Sequence, residues 1–370
     1  MKIVADSQIP FIKDFFESYG DLILKSGREI EPLDIKDADM LLVRSITPVT
    51  ASLLERSSVK FVGSITAGAD HLDIQFLEAA AIQYAFAKGF NAPPVADYVV
   101  SMIAALKRKK ILPDRKLKAA VIGVGNIGRL VVERLKILGM EVIMCDPPRA
   151  LADKHFISTA LAEIEGVDII SLHVPLTKEG SYPTYHCIDD DFLRKQKPGC
   201  VIINASRGDI ISPPALEAHG KHLIWCLDVW PQEPCINQNL LKQALIATPH
   251  IAGYSVQSKR RGIEMIYDQA CKKKIIHPKD IPALSLTKQT LNFAGESHQW
   301  EDIVLGIFNP VILTAMMRSQ ICSAKDPGQA FDEMRRQFNY RYEFSFTNIM
   351  SSPLPGEDQQ ILKALNITTL

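Results

Sequence analysis

Apolar residues near the start of the chain gather into short runs set apart by stretches of helical spacing. Lys2–Asp6 reads as a buried strand, and Phe11, Ile12, Phe15, Phe16 and Tyr19 then fall on one helical face. Met40–Val43 and 61–63 are further runs of strand length, interleaved with helical patches at Leu53-Leu54 and 76–81. Such alternation predicts a parallel sheet covered by helices. Asn91-Ala92-Pro93-Pro94 interrupts it; a long apolar helix is predicted over 95–106, and Pro113-Asp114 breaks the chain again.

A second alternating series runs from Leu117 to about Ile251. Its strand candidates are 119–123, Glu141–Cys145, 169–173, Val201–Asn204, 223–228 and 245–248. Six such runs separated by helical stretches are what a complete doubly wound nucleotide-binding domain requires. From about residue 285 the β/α alternation is expected to stop. Amphipathic stretches such as 330–338 replace it, which predicts a third, small domain. The chain shows no repeat of fixed period and no low-complexity tract.

A length of 370 residues suits two or three domains, and 47% hydrophobic content supplies their cores. Forty-two basic residues balance forty-two acidic ones, which removes the overall electrostatic case for nucleic acid or an anionic membrane. The basic cluster 107–110 reads as a solvated helix end. The opening residues lack the apolar run of a signal peptide, and the apolar stretch 303–317 is broken by Asn309-Pro310 and too short for a membrane span. Seven cysteines, without C-x-x-C or metal spacing, predict reduced thiols in a cytoplasmic setting and no bound metal. Cys145, Cys200 and Cys226, each beside an apolar run, are expected to serve packing.

Gly123-Val124-Gly125-Asn126-Ile127-Gly128 fits G-x-G-x-x-G. Alone this pattern is weak; here a strand candidate precedes it and helical spacing at Leu130, Val131, Leu135 and Leu138 follows. The first Gly permits the tight turn, the second lets a pyrophosphate approach the backbone, and the third lets helix pack on strand. The helix N-terminus adds free N–H groups and a positive partial charge. Asp146 ends the next strand candidate, eighteen residues after Gly128. A carboxylate there accepts the adenosine ribose hydroxyls and repels a 2′-phosphate, which predicts NAD rather than NADP; nearby Arg149 weakens that preference slightly.

Three downstream segments carry candidate chemistry: Asn204-Ala205-Ser206-Arg207-Gly208, Asp228-Val229-Trp230-Pro231-Gln232-Glu233-Pro234 and Thr248-Pro249-His250-Ile251-Ala252-Gly253-Tyr254. The residue types suit hydride transfer on a 2-hydroxy acid. His250 has the side chain to take a hydroxyl proton near neutral pH. Glu233 could fix its tautomer and stabilise the imidazolium. Arg207 could grip a carboxylate with two parallel hydrogen bonds. Each of these alone is more often structural or solvated; their order behind a nucleotide fingerprint reverses those odds.

On these motifs the chain resembles the D-2-hydroxyacid dehydrogenase superfamily over roughly its first 280 residues. That family places Arg in N-x-x-R-G, Glu in D-V-x-x-x-E-P and His in T-P-H, here Arg207, Glu233 and His250. One departure follows the Arg, where the family's usual Asp is Ser212, so a different cap for that loop is expected. The resemblance implies an α/β fold. A Rossmann-type NAD domain (94–256) is inserted in a flavodoxin-like catalytic or lid domain (1–93 and 257–284), and a small α+β dimerisation domain (285–370) follows.

Four segments narrow the resemblance to the branch that oxidises 4-phospho-D-erythronate in vitamin B6 synthesis: Val43-Arg44-Ser45-Ile46-Thr47, Thr66-Ala67-Gly68-Ala69-Asp70-His71, Gly89-Phe90-Asn91-Ala92 and His250-Ile251-Ala252-Gly253-Tyr254-Ser255. Ala330-Phe331-Asp332-Glu333-Met334-Arg335-Arg336 and Arg341-Tyr342-Glu343-Phe344 extend it into the tail. It implies a homodimer, a phosphorylated hydroxy acid as substrate and (R)-3-hydroxy-2-oxo-4-phosphooxybutanoate as product. Ser45, Thr66 and Tyr254 match substrate-contacting positions; Asp146, Val174, Ala205, Ser206, Arg207, Asp228 and Gly253 match NAD-contacting ones. A phosphorylated substrate needs more positive charge than Arg207 supplies, which makes Arg44 a candidate and leaves Arg341 to arrive from a partner subunit. Two alternatives stay open. A phosphoglycerate or glycerate dehydrogenase would share the motifs, against which the Tyr254 segment and the tail argue. An NAD-sensing corepressor of the same fold would keep all three polar residues, against which the neutral charge and the periodic tail argue.

Overall fold

The computed structural model describes residues 1–281, 287–293, 298–338, 341–351 and 354–370. Its chain forms two units, one of Met1–Asn91 with Val256–Leu286, the other of Ala92–Ser255 with Thr287–Leu370.

The first unit holds five parallel strands, β1 (Lys2–Asp6), β2 (Asp21–Lys25), β3 (Met40–Val43), β4 (Phe61–Ser64) and β5 (Gln83–Phe86), in the order β2-β1-β3-β4-β5. This is the flavodoxin-like order. The central strands are buried on both faces, hence their unbroken apolar runs. Ile3, Ala5, Met40 and Leu42 face one cluster with Phe15 and Phe16, while Val4, Leu41 and Val43 face the other. The helix Val256–Lys272 returns the chain to this unit and buries Ile263, Ile266 and Ala270 in the first cluster. The predicted helix at 76–81 is Ile74–Ala79, started by the Asp73 carboxylate accepting from the Phe76 amide.

Six parallel strands form the second unit's main sheet: β6 (Lys118–Ile122), β7 (Glu141–Cys145), β8 (Ile169–Leu172), β9 (Val201–Asn204), β10 (Ile224–Leu227) and β11 (Ile246–Ala247). Their order is β11-β10-β9-β8-β6-β7. Because β6 pairs with β7 on one side and β8 on the other, the strand order reverses at β6. Ligands of open α/β sheets bind outside the strand carboxyl ends at such a switch point. Ala119 and Val121 of β6 face a core shared with Val99 and Ile103 of the long helix Ala92–Arg108; Ala120 and Ile122 face a core shared with Ile170 and Ile202.

The expectation that β/α alternation stops near 285 is corrected. The tail carries a third parallel sheet, β12 (Gln289–Phe293), β13 (Thr347–Ser351) and β14 (Thr368–Thr369), in that order, with helices between its strands. These strands lack apolar runs because residues alternate in burial along β12 and most of β13, and β14 is two exposed residues. Trp300, Ile303, Phe344 and Ile349 join the Val121 side of the main core, and Met317, Ile321, Phe331 and Met334 join the Ile122 side. The stretch 303–317 is split where the Asn309 side chain accepts from the Val311 amide at 3.0 Å and Pro310 starts a new helix. The two helices meet at 44°, and among the described residues no single helix is long and apolar enough to cross a membrane.

Candidate active site

The loop after β6 turns sharply at Gly123, whose φ of 85° lies in the left-handed region where a side chain would be strained. A Cβ there would also stand 2.7 Å from the His173 carbonyl and the Val174 amide. Gly128 is the tightest point, since its Cβ would meet the Gly123 carbonyl oxygen at 1.9 Å. A Cβ on Gly125 would meet nothing within 4 Å. The middle glycine therefore fronts open space at the start of the helix Asn126–Ile137, which leaves room for a pyrophosphate over the amides of Asn126 and Ile127. This matches what NAD needs.

Asp146 follows β7. Its carboxylate accepts from the Val124 amide at 2.7 Å and the Arg149 amide at 3.0 Å, tying the glycine loop to the next helix start. Two of its roughly four acceptor sites are used, so the rest suit ribose hydroxyls. Arg149 donates to the Val124 carbonyl at 2.8 Å and lies 4.3 Å from the Phe156 ring centroid. Val174 is half-buried beyond β8. The preceding His173 is buried, held by Ser171 Oγ at 2.7 Å, and burial pushes its pKa down to about 3, so it is a neutral prop beneath Gly123.

The loop after β9 is organised by Asn204. Its side-chain oxygen accepts from the Ser206 amide and hydroxyl at 3.1 and 2.8 Å, and its amide donates to the Arg207 carbonyl at 2.9 Å. Ala205 and Ser206 are buried within it, and the Arg207 Nη1 donates to the Ser206 carbonyl at 2.8 Å. A Cβ on Gly208 would lie 2.0 Å from the Trp230 carbonyl carbon, so the backbone just after Arg207 is pressed against the loop that carries Glu233. The Ser212 hydroxyl makes no cap hydrogen bond to the helix Pro213–His219.

Asp228, just past β10, is buried and organises the next turn. Its carboxylate accepts from Thr248 Oγ1 at 2.6 Å and from the amides of Ile251 and Ala252 at 2.8 and 2.9 Å, while its carbonyl accepts from the His250 amide at 2.7 Å. Burial pushes its carboxyl above the ordinary range despite these bonds. They hold His250 at a φ of 56°, which few non-glycine residues adopt. Its Nδ1 lies 2.7 Å from Glu233 Oε2, and Glu233 Oε1 accepts from the Trp230 amide at 2.8 Å. Burial works against the Glu233 charge, but His250, Arg335 and the Trp230 amide outweigh it and hold the carboxyl below the ordinary glutamate range. An ionised Glu233 accepts from Nδ1–H, which leaves Nε2 of a neutral imidazole as a base.

Residues 102–252 match the family described as D-isomer specific 2-hydroxyacid dehydrogenase, NAD binding domain. An erythronate-4-phosphate dehydrogenase of Coxiella burnetii is 45% identical over 358 residues, covering 95% of this chain and 96% of the relative. One of Pseudomonas syringae is 36% identical and covers 99% of both chains. The chain belongs to the erythronate-4-phosphate dehydrogenase family. Among solved structures, D-lactate dehydrogenase of Aquifex aeolicus, complexed with NAD and lactic acid, is similar at a TM-score of 0.62 and 25% identity, covering 74% of this chain and 96% of that one. The NAD-bound 3-phosphoglycerate dehydrogenase of Entamoeba histolytica gives 0.62 and 25%, covering 76% and 98%. As a family member the chain is an NAD-dependent oxidoreductase with a Rossmann domain.

In this erythronate-4-phosphate dehydrogenase family member, Ser45 is exposed in the turn after β3. Arg44 beside it is paired with the buried Asp6, its Nε and Nη2 donating at 2.7 and 3.2 Å. Thr66 Oγ1 donates to the Gly68 carbonyl at 2.7 Å and sits 2.8 Å from Ser64 Oγ, itself 2.7 Å from His71 Nε2. Arg341 is buried in its own chain, donating to the carbonyls of Pro94 and Ala252, so it is not placed to serve a partner's site. Gly253 and Tyr254 follow Ala252, and the Tyr254 hydroxyl lies 3.3 Å from Arg335 Nη2. Sequence reasoning passed over Arg335 and Asn204 as site residues. Arg335 carried a signal, since it lies four positions after Phe331 and one after Met334, on the buried side of the helix Pro327–Gln337.

Proposed function

We propose that this chain oxidises 4-phospho-D-erythronate to (R)-3-hydroxy-2-oxo-4-phosphooxybutanoate in the synthesis of vitamin B6. The 2.7 Å pairing of His250 Nδ1 with Glu233, in the sheet whose glycine turn suits NAD, carries the reading. The family relationship supplies the substrate. Gly123, Gly125, Asn126, Ile127, Gly128, Asp146, Val174, Ala205, Ser206, Arg207, Asp228 and Gly253 would hold NAD, which would supply the hydride acceptor. Arg207 holds the substrate carboxylate and polarises the C2 oxygen. His250 Nε2 takes the C2 hydroxyl proton, and Glu233 stabilises the resulting imidazolium. Ser45, Thr66 and Tyr254 are assigned to substrate contact. Arg44, aligned by Asp6, is assigned to the phosphate charge; Arg44→Ala then raises the Michaelis constant, and an unchanged constant excludes it.

The chain acts as a homodimer in this reading. Ile312 and Met316 are 60% and 43% exposed one turn apart on the helix Pro310–Ser323, an apolar face suited to a second copy. Sedimentation at the mass of one chain would remove that part.

The purified protein is mixed with NAD and 4-phospho-D-erythronate, D-3-phosphoglycerate or D-lactate, with a 2-oxo acid present in parallel, and NADH and the 2-oxo product are followed. A kcat/KM about a hundredfold or more higher for the erythronate ester is expected. Preference for another acid moves the enzyme to another branch of the superfamily; NAD binding without turnover of any favours the corepressor reading.

A further inference from the structure

Three tail side chains converge on the segment that follows His250. Arg341 donates to the Ala252 carbonyl at 2.7 Å, Glu343 accepts from Ser255 Oγ at 2.7 Å, and Arg335 reaches the Tyr254 hydroxyl at 3.3 Å. Arg341 and Glu343 grip backbone or a structural serine. Arg335 differs, because it touches a side chain assigned to the substrate and its charge also acts on Glu233. Its side chain is 15% exposed, and its buried Nε has no hydrogen-bond partner among the described residues. Its nearest carboxylate on its own helix, Asp332, stands at the 4.0 Å limit of an ion pair. A desolvated guanidinium with an orphan donor costs stability, and a fold selected for packing alone would favour an apolar residue here.

We infer that Arg335 is a positioning residue for substrate binding, holding the Tyr254 hydroxyl in the orientation that meets the substrate. The C-terminal region is then a working part of the site. Arg335 acts through Tyr254, so its loss weakens binding; His250 and the Trp230 amide still favour the Glu233 carboxylate without it, which leaves the hydride step intact. The inference rests on the substrate contact assigned to Tyr254.

The test is a double-mutant cycle in the full-length enzyme with Arg335→Met, which keeps the aliphatic stem, and Tyr254→Phe. Arg335→Met is expected to raise KM for 4-phospho-D-erythronate about tenfold with kcat and the KM for NAD unchanged. Tyr254→Phe does the same, the double variant is no worse than Tyr254→Phe alone, and Arg335→Lys recovers part of the loss. Multiplying effects in the double variant overturn the inference. So does an Arg335→Met enzyme with unchanged KM, or one in which kcat and NAD binding fall together, as general loosening would give. If the wild type oxidises a different hydroxy acid, the substrate reading fails first, and the same cycle on that acid decides the role of Arg335.

Discussion

The glycine turn 123–128 and the proposed catalytic segment 250–255 both follow strand carboxyl ends of one sheet, yet they are held in opposite ways. The turn is fixed from within about fifty residues of itself, by close backbone approaches at Gly123 and Gly128 and by the Asp146 carboxylate. The catalytic segment is fixed from two distances, by Asp228 about twenty residues upstream and by Arg335, Arg341 and Glu343 more than eighty residues downstream. The glycine turn is thus held within its own β-α-β unit, whereas the segment after His250 is tied to the last part of the chain.

The largest effect falls on the dyad. His250→Asn removes the base and should lower kcat/KM by about 10²- to 10⁴-fold while NAD still binds, as fluorescence titration would read. Comparable loss of NAD binding would mean that the two regions are not separable. The two glycines divide next. Gly128→Ala forces a Cβ onto the Gly123 carbonyl and should destabilise the fold by about 1–3 kcal/mol in denaturant titration. Gly125→Ala has open space around it, so stability should hold while NAD affinity falls. Equal stability loss at both positions would contradict the account of the turn.

Much of this division was legible beforehand, for physical reasons. β6, β8 and β9 are buried on both faces and write themselves as apolar runs, and G-x-G-x-x-G states its own geometry. β2 and β5 were missed because they are the two edges of their sheet, half-exposed and bounded by polar residues such as Asp21, Lys25 and Gln83. The tail sheet hid for the same reason. His250 and Glu233 were visible through motifs, but the contacts of Arg335 and Arg341 with the segment after His250 were not, because no local pattern encodes a contact across more than eighty residues. Arg341 was read as a group for a partner subunit, whereas its guanidinium is buried against Tyr98 and Phe308 of its own chain.

Smaller effects sharpen the tail's side of the comparison. Arg341→Met abandons the Pro94 and Ala252 carbonyls and should cost about 1–3 kcal/mol, with turnover falling more than NAD affinity. The smallest effect is a pH dependence. Asp97 anchors the tail by accepting from the Phe344 amide at 2.9 Å and pairing with Arg134 at 3.4 Å. Burial raises its carboxyl from 3.8 to about 6, with Arg134 and the Phe344 amide opposing and Glu343 adding to the rise. A folded-state pKa above the unfolded one means that its stabilising contribution is whole below about pH 4 and lost as pH climbs through about 6. The melting temperature of the wild type relative to Asp97→Asn should therefore fall across that window; a gap that widens with rising pH would reverse the sign.

The most direct test follows one atom. 4-Phospho-D-erythronate carrying deuterium at C2 is turned over with NAD, and the reduced nicotinamide is weighed by mass spectrometry. Hydride transfer from the carbon beside the carboxylate, with His250 taking only the hydroxyl proton, predicts that the deuterium appears in the nicotinamide. Deuterium in the solvent, or no reduction of NAD by this substrate, would contradict it.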